Sequence, residues 1–190
     1  MIFEPVDLGI DIESLRQHLQ EVVFPLEPVM VGRHFGGWSV LSSTGDYRDG
    51  WGQGFRCYKV VDGKTVIDYD AVQRLNLPHP NSYVKPTQIC TGYMSELIRK
   101  LVALGLTPRR ARVTLLKAGP GSSCSWHRDG PDEAYAVRLH VPIITNEGCF
   151  FRTENEQEHA AADGRAYFVR VNRMHQVVNG GPTDRLHLIM

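Results

Sequence analysis

His127-Arg128-Asp129 is the one His-x-Asp of the chain; His175 follows 48 residues after His127, and Arg185 ten residues after that. Alone the tripeptide carries little, because eight histidines and 21 acidic residues in 190 make about one His-x-acid pair expected by chance. Its company changes the reading. Residues i and i+2 of an extended segment point the same way, so His127 and Asp129 can reach one ion. His175, at the start of another strand, supplies a second imidazole. Two imidazoles and one carboxylate occupy one face of an octahedron and leave three positions open, the arrangement that suits non-haem Fe(II). Two open positions can take a bidentate α-keto acid, and the third O2.

A keto acid with two carboxylates needs cations to hold it. Arg185, and Arg138 with His140, are the candidates, because the planar guanidinium fork matches a carboxylate bidentately. Arg138 and His140 alternate with Val137, Leu139 and Val141, and Arg185 and His187 with Leu186, Leu188 and Met190. Each polar face is either the solvated side of a strand or the lining of a pocket. An unpaired buried charge is costly, so such a lining is built only where a ligand needs it; the same pattern on two strands favours the pocket.

The elements that must position these residues are mostly strands. Two helices come first. One spans 11–23, with Ile12, Leu15, Leu19 and Val22 on one face and Asp11 as cap; the other spans 88–104, with Thr87 as N-cap and Gly105 at C′. Trp38–Leu41 and Tyr58–Asp68 are early strand candidates, the latter folded at Asp62-Gly63. Then come Arg112–Lys117, Ala134–Ile144, Cys149–Thr153, Arg165–Val171, His175–Asn179 and Arg185–Met190, separated by Gly, Pro and Asn turns. This pattern predicts a mainly β fold with flanking helices: a double-stranded β-helix, or cupin-like jelly roll, carrying its helices on one outer face, although periodicity alone fits another β-sandwich equally. Neither a repeat nor a linker-like segment interrupts 1–190, which reads as a single domain, with helical and β support in 1–110 and the catalytic jelly roll in 111–190 plus the early strands.

Composition narrows the function classes. Twenty-one Lys and Arg against twenty-one Asp and Glu give no net charge, which argues against a nucleic-acid partner or an acidic lipid surface. No apolar run approaches a membrane span, and the first residues lack the pattern of a secretory signal. Cys57, Cys90, Cys124 and Cys149 contain no C-x-x-C pair and read as reduced thiols of a cytoplasmic protein. Gly63-Lys64-Thr65 lacks the earlier glycine of a phosphate loop, since Tyr58 stands there, and reads as a hairpin turn. The glycine-rich 45–54 reads as a loop able to close over a site, with 76–85 another border of the pocket. His18, His34, His79 and His159 read as surface or packing residues.

His127-Arg128-Asp129, Val137-Arg138-Leu139-His140-Val141, Thr145-Asn146-Glu147-Gly148-Cys149, Met174-His175, Asn179 and Arg185-Leu186-His187-Leu188, in this order, resemble the aspartyl/asparaginyl β-hydroxylase family of Fe(II)/2-oxoglutarate-dependent oxygenases. The similarity is strongest to the bacterial branch that includes the cis-hydroxylases of free proline. It covers about 112–190, and Phe35-Gly36-Gly37-Trp38-Ser39 resembles the family's early Gly-Trp strand. The resemblance implies that His127, Asp129 and His175 ligate iron, that Arg185 holds the distal carboxylate of 2-oxoglutarate, and that Arg138 and His140 lie near its keto-acid end. It also implies hydroxylation of an unactivated C–H with O2, releasing succinate and CO2. Vertebrate members have glycine where Asp129 stands, so this chain keeps the full triad. Their serine for the distal carboxylate falls at Leu116, and Thr114 on the same strand face is the candidate to replace it. The substrate stays open among a free amino acid, a peptidyl Asp or Asn and a natural-product intermediate, as does the oligomeric state. A cupin-like metalloenzyme using no keto acid would share the histidines without needing Arg185. The reading of another class is a non-catalytic jelly-roll binding module.

Overall fold

The computed structural model describes residues 2–51, 58–61, 64–67, 69–74, 82–129 and 137–190. Cys57, Gly52–Gly54, the turn Asp62-Gly63, Asn76–Asn81 with His79, and Ala134–Ala136 fall outside them. In chain order the elements are β1 (Phe3–Val6), α1 (Ile12–His18) with a π-type turn over Leu19–Val23, β2 (Val29–Met30), β3 (Phe35–Ser39), β4 (Leu41–Ser42), β5 (Tyr58–Val61), β6 (Lys64–Ile67), α2 (Tyr69–Arg74), β7 (Lys85–Pro86), α3 (Gly92–Ala103), β8 (Arg112–Leu116), β9 (Val137–Ile144), β10 (Cys149–Thr153), β11 (Gln157–Glu158), β12 (Ala166–Arg170), β13 (His175–Asn179) and β14 (Arg185–Ile189).

Seven strands form one antiparallel sheet in the order β1-β12-β9-β14-β8-β3-β2, and β11-β10-β13 form a smaller one. The large sheet is buried on both faces. Val113, Leu115, Leu139, Val141, Leu186 and Leu188 turn one face onto Leu15, Leu19 and Val23 of the first helical unit and Met94, Leu97 and Leu101 of α3. On the other face Phe3, Tyr167 and Val169 meet Phe151 of the small sheet. Burying a large apolar side chain contributes about 1.5–3 kcal/mol, so this double layer makes the strands rigid supports. It is the double-stranded β-helix, with helices outside one sheet, expected from the strand pattern.

The local expectations fare unevenly. Asp11 caps α1 by accepting from the backbone N–H groups of Glu13 and Ser14. At the π-type turn the Phe24 N–H reaches Leu19 O, and the extra residue carries Val23 fully into the core while Val22 is only partly buried. The second helix starts four residues later than the pattern suggested. Thr87 does not cap it: its hydroxyl donates to Ser39 O, Cys90 N–H closes a turn onto Thr87 O, and Gly92 takes φ +43, which a right-handed helix from 88 could not pass through. Gly105, with φ +83, ends the helix as expected. Trp38–Leu41 divides between β3 and β4, and β5 and β6 pair as the hairpin expected there. Strand β1 and helix α2 were not foreseen. Among the described residues no helix is long and apolar enough to cross a membrane.

Candidate active site

The segment 122–129 runs antiparallel beside β13. Cys124 N–H donates to Val177 O, Asn179 N–H to Ser122 O, and His127 and His175 exchange both backbone hydrogen bonds at 3.0 and 2.9 Å. This pairing sets the two rings 4.3 Å apart between centroids. Asp129 N–H is tied to Val171 O, and its carboxylate, two residues along the extended segment, turns to the same side. Ligating atoms of His127, Asp129 and His175 all lie within 4.8 Å of one another.

The ring orientations are fixed by backbone. His127 Nδ1 lies 2.7 Å from Ser125 O and His175 Nδ1 2.8 Å from Arg173 O. A carbonyl only accepts, so both Nδ1 atoms carry protons and the Nε2 atoms are left as donors to a common centre. Asp129 Oδ2 pairs with Arg138 Nε at 2.6 Å, while Oδ1 stands 3.2 Å from His127 Nε2. Burial alone would raise the Asp129 carboxyl, but Arg138 first, then His127 and His175, hold it well below the usual carboxylate range. Burial favours neutral His127, yet the hydrogen bond to Asp129 wins and pushes the ring up to about 10. Burial lowers His175. Asp129 thus calls for positive charge at His127 Nε2, which a proton or a metal ion can supply. The donor set fits a metal: two imidazoles with anchored Nδ1 protons and one ionised, oriented carboxylate.

Deeper in the same pocket, the alternation on β9 and β14 resolves as lining. His140, His187 and Arg185 are 2%, 2% and 4% exposed, so these are not solvated strand faces. Arg185 Nη2 lies 2.9 Å from His187 Nδ1. Arginine only donates, so His187 Nδ1 accepts and Nε2 carries the ring proton, with no hydrogen-bond partner among the described residues. Among the same residues neither ring nitrogen of His140 has one. Burial lowers both histidines well below the ordinary imidazole range, with Arg185 adding to the effect. Burial also pulls Arg185 down to about 10, which leaves it a cation at neutral pH. Among the described residues no carboxylate pairs with it. Thr114 lines the pocket and Leu116, opposite Arg185 in the ladder, does not. The Thr114 hydroxyl donates to His187 O at 3.1 Å.

The cavity, about 300 Å³, joins the triad to this floor and takes its remaining walls from Trp51 of the glycine-rich loop, Phe35 of the early Gly-Trp strand, and Arg110, Arg112 and Trp126, which were not singled out in the sequence. The signal for Arg112 was present. Arg112 and Thr114 alternate with Val113 and Leu115 as Arg138 and His140 do with Leu139 and Val141. The described part of the 45–54 loop is anchored, not swinging: Asp49 accepts from Ser43 and Thr44, and Gly50 O accepts from Arg110 and Arg112. Gly37, at φ +145, lets Trp51 in, since a Cβ there would stand 2.0 Å from Val113 O and 3.0 Å from the indole. Arg138 lies at the triad, bound to Asp129. His18 and His159 bond to the carbonyls of Ile89 and Cys149, as packing residues do.

The sequence profile of the aspartyl/asparaginyl beta-hydroxylase family matches residues 73–190. The chain belongs to this family. Membership makes the chain a hydroxylase, an oxidoreductase of the 2-oxoglutarate-dependent dioxygenase class. No curated protein matches the sequence significantly. Among solved structures, an oxidoreductase of the 2OG-Fe(II) oxygenase family from Burkholderia pseudomallei is similar at a TM-score of 0.50 and 12% identity, over 98% of this chain and 81% of that one. At that identity the likeness is one of fold. A Trichoplax adhaerens prolyl hydroxylase, solved with a hypoxia inducible factor oxygen degradation domain peptide fragment, is similar at 0.45 and 15% identity, over 98% and 81% of the two chains.

Proposed function

We propose that this family member is a single-domain Fe(II)- and 2-oxoglutarate-dependent dioxygenase that hydroxylates an unactivated C–H of an amino acid or of an Asp- or Asn-type residue. In this reading His127, Asp129 and His175 hold the metal, Arg185 holds the distal carboxylate of 2-oxoglutarate, and His140 faces the cosubstrate. One observation carries it. Two imidazoles with fixed Nδ1 protons and one oriented carboxylate share a pocket with a buried arginine whose one side-chain hydrogen bond among the described residues is to a neutral ring. A buried guanidinium without a counter-anion is costly, and a dicarboxylate reaching the floor would offset that cost. A cupin-like enzyme using no keto acid would give Arg185 no such role.

Iron bound with 2-oxoglutarate activates O2 and supplies the oxidising power for the C–H bond. The chain's residues do the positioning. Ser125 O and Arg173 O keep the two rings aimed at one centre, and Arg138 keeps one carboxylate oxygen of Asp129 turned toward them. Phe151, stacked on His175 at 4.8 Å, shields that ring. His187 accepts from Arg185 and so directs the guanidinium. None of these groups is a general base.

Purified protein given Fe(II), 2-oxoglutarate and a panel of amino acids and of Asp- and Asn-containing peptides tests the reading. The expected result is succinate release matched by a product heavier by one oxygen. Iron-independent turnover, or oxidation without consumption of 2-oxoglutarate, would overturn it.

A further inference from the structure

We infer that the pocket holds a second anion subsite, at Arg112, which takes a carboxylate of the primary substrate while the apolar body lies against Trp51 and Phe35. It rests on the oxygenase reading above and concerns the other end of the same cavity. Arg112 stands on the pocket face of β8, with its guanidinium 4.7 Å over the Trp51 ring. One nitrogen donates to Gly50 O, whereas Nε is buried with no hydrogen-bond partner among the described residues. Among the described residues no carboxylate forms an ion pair with Arg112. Burial, with Arg110 and Arg138 nearby, disfavours its charge further. A cation so placed needs an anion.

The anion at Arg185 belongs to the other end of the cavity. In the β8–β14 ladder Arg112 faces Ile189 while Arg185 faces Leu116, which sets the Cα atoms of the two arginines about 13 Å apart along the strands. The carboxyl carbons of a five-carbon diacid are roughly 5 Å apart. The two guanidinia also sense different neighbours: Arg112 the triad side through Asp129 and Arg138, Arg185 the thiols of Cys149 and Cys124. These contrasts favour a second, separate anion over one shared by both arginines. Trp51 lies against one side of the guanidinium, and a planar fork matches a carboxylate edge to edge. Phe35 and Trp51, edge to face at 5.9 Å, with Val31 and Ile189, give that end an apolar wall. The substrate class is therefore an acid with a hydrophobic body, and the amide of the same body is rejected because it leaves the cation uncompensated.

Calorimetric titration of N-acetyl-leucine, its amide and 2-oxoglutarate into the wild-type protein, Arg112→Met and Arg185→Met tests the subsite. The acid should bind the wild type, lose at least about 30-fold in Arg112→Met and keep its affinity in Arg185→Met, while 2-oxoglutarate behaves in the opposite way and the amide does not bind. Acid binding that survives Arg112→Met, acid and amide binding alike, or 2-oxoglutarate losing affinity with Arg112 in place of the acid would each overturn the proposal. If 2-oxoglutarate binds none of the proteins while the acid keeps its dependence on Arg112, the cosubstrate reading fails and the subsite stands. Should Arg112→Met not fold, phenylglyoxal labelling of the wild type decides: N-acetyl-leucine must protect Arg112 and its amide must not, and equal labelling overturns the subsite.

Discussion

Two arginines in one pocket, Arg138 at the triad and Arg185 at the floor, stand in opposite circumstances. Arg138 is bound to Asp129 at 2.6 Å, part of a chain of charges that runs on to His127. Arg185 touches a neutral imidazole and, among the described residues, no acid. The triad end compensates its charge and then asks for one further cation between His127 and Asp129. The floor holds an uncompensated cation between two histidines that burial keeps neutral, and asks for an anion. A single ligand that is anionic at the floor and chelates a metal at the triad answers both. The contrast teaches that residue type alone does not assign a pocket arginine; its partner does.

Arg185→Ala should break this contrast with the largest effect. Removing one member of a buried charge-assisted pair costs about 2–5 kcal/mol, so 2-oxoglutarate affinity should fall roughly 30- to several-thousand-fold while metal binding survives. Calorimetry with Mn(II) in place of iron measures both. A folded variant with wild-type affinity would make Arg185 a merely structural residue.

Asp129→Ala attacks the other end. It removes a ligand and strands Arg138, so metal affinity should drop by more than the about 10- to 100-fold that losing an outer partner causes. His159→Ala, whose ring bonds to Cys149 O and lies edge-on to Phe150, should retain metal as the wild type does. Equal retention in the Asp129 variant would remove the triad from the reading.

The buried histidines of the floor sharpen the comparison through pH. His140 and His187 are held neutral in the fold and take protons when unfolded, near the ordinary imidazole value of 6.5. Below that value the unfolded state binds more protons, so stability falls as pH falls, by up to about 1.4 kcal/mol per pH unit for each ring until the depressed folded-state value is reached. Urea midpoints measured between pH 7.5 and 5.5 should decline, and less steeply in His187→Gln. His127, raised to about 10, works in the opposite direction over this range, so the difference between wild type and His187→Gln is the readout, and identical profiles in the two would contradict the neutral floor.

Asp11→Ala, remote from both ends, should lower the melting temperature slightly through the lost cap and leave ligand binding unchanged. A thermal melt paired with one metal titration checks it.

How far the sequence reads ahead of the structure follows from the range of each signal. Alternation on β9 and β14, the Asp11 cap and the His-x-Asp geometry are local, and each has its expected form. Strand β1 was hidden because Phe3–Val6 contains Glu4 and Pro5, and only pairing with β12 makes it a strand. Thr87 looked like a cap because its tertiary acceptor, Ser39 O, lies 48 residues away in sequence. The Asp129–Arg138 pair likewise depends on how β9 sits beside the triad segment. Arg112 was legible by the alternation that exposed Arg138, but its stack on Trp51 depends on a glycine, Gly37, whose role appears only once the strands are assembled.

The central claim, a keto acid spanning from Arg185 to the metal held by His127, Asp129 and His175, is met most directly by adding 2-oxoglutarate to the anaerobic Fe(II) protein and recording its visible spectrum. The expected result is a saturable charge-transfer band that is absent with succinate and is lost in Arg185→Ala at the same cosubstrate concentration. Iron bound by the triad residues with no band at any 2-oxoglutarate concentration would contradict it.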